Sequence, residues 1–173
     1  MADEGSPGFT IREIRPAEFA ALGEVTVRAY ADRLSPADAE YVAELRDVGS
    51  RAAAVPVLVA VDGDGRVLGG VAYVPGPGTP LSEGERDGEA GIRMLAVDPP
   101  VAGRGIGRAL AIACMNRARA EGRTGMTLYT LPTMTVAHRL YESLGFRRDT
   151  DRDWEYLPGE SLWSYAIRFE PGS

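Results

Sequence analysis

The fold of this chain is decided by residues 91–108, GIRMLAVDPPVAGRGIGR. The pattern predicts an apolar strand that ends at Val97, then a turn, then a glycine-rich loop that leads directly into a helix. This order places backbone N–H groups without helical partners, and the positive end of a helix dipole, at the carboxyl end of a strand. Gly103, Gly105 and Gly107 allow a ligand to approach the backbone closely. The stretch therefore predicts a site for a phosphate or pyrophosphate.

Two familiar phosphate-binding motifs do not fit this spacing. A dinucleotide-binding fold requires G-x-G-x-x-G directly after its strand, but Arg108 occupies the position of the third glycine, and residues 98–100 intervene before the loop. A nucleoside-triphosphate P-loop requires a lysine, and all 19 basic residues of this chain are arginines. Arginine does not reproduce the compact charge of lysine, which excludes the P-loop.

Residues 102–107, AGRGIG, resemble the acyl-CoA loop of the GNAT superfamily of N-acetyltransferases, [Gln/Arg]-x-x-Gly-x-[Gly/Ala]. They match it at Gly105 and Gly107 and depart from it at Ala102, where Arg104 and Arg108 could supply the charge instead. The resemblance implies that acetyl-CoA is the cosubstrate. It also implies that the strand end pairs with the pantetheine and that the loop holds the pyrophosphate, through Leu95, Ala96, Val97, Gly103, Arg104, Gly105, Ile106, Gly107 and Arg108.

A second resemblance lies about thirty residues downstream. Residues 137–146, AHRLYESLGF, match the family signature A-x-x-L-Y-x-x-x-G-F at every fixed position. In the family this helix lies beside the pantetheine arm, and its tyrosine points at the thioester sulfur. Tyr141 is therefore the candidate general acid and a cofactor contact, since an ordinary phenol, with a pKa near ~10, keeps its proton at neutral pH. Met134 stands where the family often has an asparagine.

The implied reaction is direct transfer of an acetyl group from acetyl-CoA to an amine through a tetrahedral intermediate. In the family, a backbone N–H at a bulge in the central strand polarises the thioester carbonyl, which by position falls near Leu95. Family members often take the base from that strand, so Glu89 is our first candidate for it, with Glu83 and Glu85 as alternatives. The acceptor is expected to be a small primary amine or a peptide α-amine, with an antibiotic, an amino acid, a polyamine and a protein N-terminus left open.

A different class of function also fits. The departures at Ala102 and Met134 leave room for a catalytically idle acyl-CoA-binding or sensor protein with the same fold. A dinucleotide-binding protein is disfavoured by the loop spacing.

Composition agrees with a globular enzyme. A chain of 173 residues suits one domain, predicted over residues 9–171 after a flexible tail at 1–8. The net charge of −6 argues against nucleic acid as a partner, and a single cysteine cannot form an internal disulfide. No cluster of ligands predicts a metal, and no segment is apolar enough to predict a membrane span. The acidic start without an apolar core predicts a cytoplasmic protein. Dimers are common in the family, so a homodimer is left open.

The predicted elements follow the GNAT order β-α-α-β-β-β-α-β-α-β-β. They give an α/β (α+β) fold: a mixed central sheet of about 6–7 strands flanked by about four helices. Several local signals support it: a capping box at Ser35–Asp38 before a helix that stops at Gly49, a hairpin turn at 62–65, and a final amphipathic strand over 163–169. The helix at 133–144 is predicted to turn Val136, Leu140 and Leu144 inward and His138 to solvent.

Overall fold

The computed structural model describes residues 8–171, which divide into two compact units. The first unit contains residues 8–72 and 94–111, and the second contains residues 73–93 and 112–171. Strands β3 (Val67–Val74) and β4 (Glu89–Val97) contribute residues to both units. Residues 1–7 of the predicted tail lie outside the described residues, and the prediction of one domain over 9–171 stays a prediction.

The first unit begins with strand β1 (Phe9–Glu13), which pairs antiparallel with β2 (Val57–Asp62). Strand β2 pairs antiparallel in turn with β3, which confirms the predicted hairpin. The turn closes because Gly65, with φ +80°, donates its amide to the Asp62 carbonyl at 3.0 Å. The Asp62 carboxylate also accepts the amides of Asp64 and Arg66, each at 2.9 Å. An aspartate that binds its own turn is the local reason for this hairpin.

The helices of the first unit are α1 (Phe19–Tyr30), α2 (Ala39–Arg46) and α3 (Val48–Ala54). The capping box before α2 is confirmed, since Ser35 donates its amide to the Asp38 carboxylate at 2.6 Å. The prediction that Gly49 ends the helix is wrong. A new helix starts at Val48 because the Asp47 carboxylate caps it, accepting the Ser50 amide at 3.1 Å.

The core of the first unit lies between α1 and the strands. Strand β3 is buried at every residue, as expected of a strand covered on both faces. Helix α1 lies directly on β3 at Gly70, where a Cβ atom would come within 2.6 Å of a Leu22 methyl group. A glycine at this position therefore sets how closely helix and strand pack.

The second unit is built on strands β5 (Gly125–Thr130) and β8 (Glu160–Arg168), which pair antiparallel from Gly125–Arg168 to Thr130–Trp163. Strand β4 pairs parallel with β5, with Gly91 opposite Thr127 at the last register position. The short strands β6 (Arg147–Arg148) and β7 (Trp154–Leu157) also pair with β8. The strand order is β1-β2-β3-β4-β5-β8-β6, with β7 on β8. The mixed sheet is confirmed, with eight strands in the described residues.

Two more helices complete the fold: α4 (Ile106–Ala120), which follows the glycine-rich loop, and α5 (Thr135–Ser143). The face predicted for α5 is wrong, because Val136 is 77% exposed while His138 is 8% exposed. The His138 ring stacks on Trp163 and Tyr165 of β8, with each pair of ring centroids 5.3 Å apart. Two aromatic partners make a histidine a better inward residue than valine here. None of the helices in residues 8–171 has the length and apolar character that crossing a bilayer requires.

Candidate active site

The glycine-rich loop in the first unit forms the helix N-terminus that the sequence predicted. Gly103 and Gly105 adopt φ +82° and +80°, values that favour glycine. The first hydrogen bond of the helix runs from the Ala109 amide to the Gly105 carbonyl, at 3.0 Å. The amides of residues 105–107 lie before it and therefore have no carbonyl partner within the helix. Residues 102–105 are exposed, which leaves this end of α4 accessible to an anion. Both the geometry and the dipole suit a pyrophosphate.

Asp98 anchors the start of the loop. Its carboxylate is buried and accepts two hydrogen bonds from the Arg28 guanidinium, at 3.0 and 3.1 Å. The Arg66 guanidinium also donates to the Oδ2 atom of Asp98, at 3.4 Å. Arg28, and to a lesser degree Arg66, hold the pKa of Asp98 below its usual range. This anchor was not predicted, because Arg28 is 70 residues away in the sequence.

The end of β4 has a local backbone distortion one residue before Leu95. Met94 has φ +52°, a left-handed conformation that is uncommon for a side chain of its kind. The Tyr30 hydroxyl donates to the Leu95 carbonyl at 3.4 Å. On β3, a Cβ atom at Gly69 would lie 2.6 Å from the Ala96 carbonyl, so a glycine is needed for this close approach. Leu95, Ala96, Val97 and residues 103–108 thus lie in the first unit, on one continuous stretch of chain.

Tyr141, in the second unit, is held by the end of its own helix. The Phe146 amide donates to the Tyr141 carbonyl at 3.0 Å, and the Gly145 amide donates to the Glu142 carbonyl at 3.0 Å. With Gly145 at φ +97°, this is a Schellman motif. The Tyr141 and Phe146 rings meet edge to face, with centroids 5.7 Å apart. The motif L-Y-x-x-x-G-F is therefore the sequence of a helix cap that restrains the tyrosine ring.

Met134 and His138, which precede Tyr141 in the sequence, both contact Leu131, the residue that follows β5. Met134, the departure from the family asparagine, accepts the Leu131 amide on its sulfur at 3.3 Å. The Nε2 atom of His138 lies 3.0 Å from the Leu131 carbonyl oxygen and 2.9 Å from the Thr130 hydroxyl. Because the carbonyl can only accept, Nε2 carries the hydrogen. His138 thus ties α5 to the end of β5.

Glu89 is ion-paired. The Arg152 guanidinium donates to both of its carboxylate oxygens at 2.7 Å, and the Arg86 amide donates to one of them at 2.9 Å. Burial alone would raise the pKa of Glu89, but the bonds from Arg152 and Arg86 outweigh it and lower the pKa. Glu89 as the base stays a prediction, and its low pKa makes it a weaker proton acceptor. Arg152 could not be found from local sequence, since it is 63 residues away.

The alternatives Glu83 and Glu85 differ in their partners. Glu83 pairs with the Arg93 guanidinium at 2.9 Å. Glu85 is 9% exposed and accepts hydrogen bonds from the Ser82 hydroxyl at 2.8 Å and the Glu83 amide at 2.7 Å. Only Glu83 and Glu89 are thus paired with a cation. Within residues 8–171, His, Cys, Asp and Glu side chains are nowhere grouped in threes as metal ligands would be.

The chain belongs to the acetyltransferase (GNAT) family, whose model matches residues 19–146. It is 37% identical over 153 residues to a mycothiol acetyltransferase of Sanguibacter keddieii, covering 84% of this chain and 45% of that protein. It is 36% identical over 75 residues to an N-acetylaspartate synthetase of Danio rerio, covering 43% of this chain and 27% of that protein. The chain thus spans less than half the length of these curated relatives.

Solved structures share the fold over nearly the whole chain. One is the PaiA N-acetyltransferase from Thermoplasma acidophilum in complex with coenzyme A, with a TM-score of 0.74 and 15% identity over 93% of this chain and 99% of that chain. Another is a GNAT family acetyltransferase from Brucella melitensis in complex with acetyl-CoA, with a TM-score of 0.62 and 27% identity over 96% of this chain and 91% of that chain. The fold expected from the sequence is confirmed.

Proposed function

We propose that this chain is an N-acetyltransferase that transfers an acetyl group from acetyl-CoA directly to a primary amine of a small molecule or peptide. The observation that carries the proposal is the exposed N-terminus of α4, preceded by Gly103 and Gly105 with positive φ, on the same stretch of chain as the distorted strand end at Met94. A helix N-terminus built in this way suits the pyrophosphate of coenzyme A. Family membership, and a relative solved with acetyl-CoA, support the same cosubstrate.

The residues of the first unit are proposed to hold the cosubstrate. The backbone of Leu95, Ala96 and Val97 would pair with the pantetheine amides, and the amides of 105–107 would receive the pyrophosphate. Arg104 and Arg108, both exposed on the loop and first turn, would add positive charge in place of the polar residue missing at Ala102. The roles of Leu95, Ala96 and Val97 use their backbone groups, so their apolar side chains can still pack.

Tyr141 is proposed as the general acid. As the amine nitrogen attacks the thioester carbonyl, a C–N bond forms, and the C–S bond breaks when the tetrahedral intermediate collapses. The thiolate then takes the phenolic proton of Tyr141, and the nitrogen loses a proton to a base or to water. The Tyr141 phenolate regains a proton from water before the next turnover. The edge-to-face contact with Phe146 restricts the ring to few positions, which favours proton transfer to a fixed atom.

The first experiment is a thermal shift with acetyl-CoA, using NAD and ATP as controls. Ligand at a hundred times its Kd adds ~2.7 kcal/mol to the free energy of unfolding. For a chain of this size we expect Tm to rise by several degrees, at about 2–4 °C per kcal/mol. A shift with acetyl-CoA alone supports the cosubstrate. No shift at millimolar acetyl-CoA would overturn it.

Release of free coenzyme A is then measured with a panel of amines: an amino acid, a polyamine, an aminoglycoside and a short peptide. Tyr141→Phe should lower kcat at neutral pH by at least about tenfold, because general acid catalysis contributes about 10²–10⁴-fold. Its Kd for acetyl-CoA should stay within about twofold of wild type. If Tyr141→Phe keeps full activity, Tyr141 is not the acid.

The departures at Ala102 and Met134 favour one other candidate, a catalytically idle acyl-CoA-binding or sensor protein. Such a protein would bind acetyl-CoA in the thermal shift and release no coenzyme A with any amine of the panel. The cytoplasmic location and the homodimer expected from the sequence stay predictions.

A further inference from the structure

Residues 81–86 cover one face of strand β4 in the second unit. Side chains along a strand point alternately to its two faces, so positions 89, 91 and 93 share one face of β4. At one end, the Arg93 guanidinium donates to the Leu81 carbonyl at 2.8 Å and pairs with Glu83 at 2.9 Å. At the other end, Glu89 accepts the Arg86 amide at 2.9 Å. The segment is thus attached to the strand on both sides of Gly91.

Gly91 leaves the space that the Glu85 side chain fills. A Cβ atom at Gly91 would overlap the Glu85 Oε1 atom. Glu85 is only 9% exposed as a result, although it lies on a connecting segment. Strand and segment therefore hold this carboxylate in a defined place over β4.

Glu85 has an incomplete set of partners. Both of its hydrogen bonds, from the Ser82 hydroxyl and the Glu83 amide, go to Oε2 and come from neutral donors. Oε1 accepts no hydrogen bond from any residue in the described part of the chain, and no guanidinium there pairs with the carboxylate. Oε1 is not one of the buried side-chain atoms without a hydrogen bond in the described residues, so this oxygen reaches solvent and is open to a positively charged ligand.

Tyr129 stands next to this carboxylate. Thr127 is opposite Gly91 in the parallel pairing of β4 and β5, so Tyr129, two residues on, shares the face that Glu85 covers. The Tyr129 hydroxyl lies so close to Gly84 that a Cβ atom there would overlap it. Burial raises the pKa of Tyr129. The charge of Arg152 lowers this pKa, and the charges of Glu85 and Glu83 raise it further, so the phenol stays neutral. The charged groups around Glu85 on these elements are Glu83, Arg86, Glu89, Arg93 and Arg152.

We propose that Glu85 Oε1 and the Tyr129 hydroxyl bind the ammonium group of the acceptor, and that Glu85 is the base of the transfer. This rests on the acetyltransferase function proposed above. The ammonium N–H bond breaks, its proton goes to the Glu85 carboxylate, and the freed electron pair forms the C–N bond with the acetyl carbon. Glu85 returns the proton to water after the product leaves. The acceptor class is an alkylammonium ion, because two neutral donors already satisfy Oε2 and Oε1 is left for a cation.

The binding half of the proposal is tested without turnover. Amide NMR signals of ¹⁵N-labelled protein are followed during titration with n-butylammonium, with n-butanol as the neutral control. The Glu83 and Gly91 amides should shift with n-butylammonium only. Glu85→Gln should weaken this binding at least tenfold. Asp87→Asn removes the same charge from an exposed side chain of the same segment, and it should change the binding less than twofold. Equal binding by wild type and Glu85→Gln would overturn the proposal.

The catalytic half is tested with the amine of the panel that releases coenzyme A fastest. Glu85→Gln should lower kcat/KM for the amine about 100-fold at pH 7, as expected for loss of a general base, with KM for acetyl-CoA unchanged. The deficit should shrink toward pH 9, because the free amine, with a pKa near ~10, rises about tenfold per pH unit. A deficit that is the same at pH 7 and pH 9 would mean that Glu85 does not take the proton.

A second variant tests whether the effect of Glu85→Gln on binding comes only from the lost negative charge. Gly91→Ala keeps the carboxylate but places a methyl group where Oε1 lies, so it should reduce n-butylammonium binding as Glu85→Gln does. Full binding by a folded Gly91→Ala would contradict the assigned position. If wild type binds acetyl-CoA and acetylates no amine, the proposed enzyme function fails, and the n-butylammonium titration alone decides whether Glu85 forms a cation site.

Discussion

Replacing Gly145 by alanine tests whether the cap of α5 controls both stability and the position of Tyr141. Gly145 has φ +97°, and a residue with a Cβ atom pays about 1–2 kcal/mol in the left-handed region. A Cβ atom at this position would also lie 3.2 Å from the Ile167 Cδ1 atom, closer than ordinary van der Waals contact. We therefore expect Gly145→Ala to lower the free energy of unfolding by about 2 kcal/mol.

Gly122 provides a matched control in the same unit. It also has positive φ, +75°, and ends α4 with the same pair of bonds: its amide donates to the Arg119 carbonyl at 3.0 Å, and the Arg123 amide donates to the Ala118 carbonyl at 2.9 Å. No heavy atom lies within 4 Å of a Cβ atom built there. Gly122→Ala should therefore cost only the backbone strain, about 1 kcal/mol.

Urea denaturation of both variants measures the two costs, and the difference reports the contact with Ile167. Gly145→Ala should also lower kcat, because the Phe146 amide that binds the Tyr141 carbonyl follows directly after the substituted residue. Gly122→Ala should keep kcat within about twofold of wild type. Wild-type stability in Gly145→Ala, or a larger loss in Gly122→Ala, would refute the reasoning.

Two further predictions concern ionisable groups. In the folded protein, Arg152 and Arg86 lower the pKa of Glu89. The ion pair therefore stabilises the fold fully above the carboxyl pKa of the unfolded chain. This stability is lost as the pH falls through the lower pKa of the folded state. Glu89→Gln should thus cost about 2 kcal/mol at pH 7, a difference from wild type that narrows toward pH 3 in urea denaturation. A difference independent of pH would contradict the ion pair. Burial raises the pKa of Cys114 to about 12, so a disulfide reagent at pH 8 should label the native protein far more slowly than the urea-unfolded chain. Rapid labelling of native protein would show that the thiol is accessible.

Local sequence predicted the parts of this protein that depend on near neighbours. The hairpin turn at 62–65 closes on the Asp62 side chain, and the capping box closes on Ser35 and Asp38. The glycine-rich loop and the L-Y-x-x-x-G-F helix end likewise depend on bonds between residues at most five positions apart. Such bonds depend on the order of neighbouring residues, so these motifs could be recognised without knowledge of the fold.

The tertiary structure decided which side chains those elements bring together. Periodicity favoured Val136 over His138 as the inward residue of α5, because it could not include the Trp163 and Tyr165 rings of a strand more than twenty residues later. The same holds for the carboxylates: the sequence favoured Glu89 as the base, with Glu83 and Glu85 as alternatives, and only the fold shows that Glu83 and Glu89 are each paired with an arginine. It places the third over Gly91 with one oxygen unpartnered. The sequence by itself determined the family, most of the elements and the glycine-rich loop before α4. Strand register and long-range ion pairs, which no local pattern encodes, decided the state of each ionisable group.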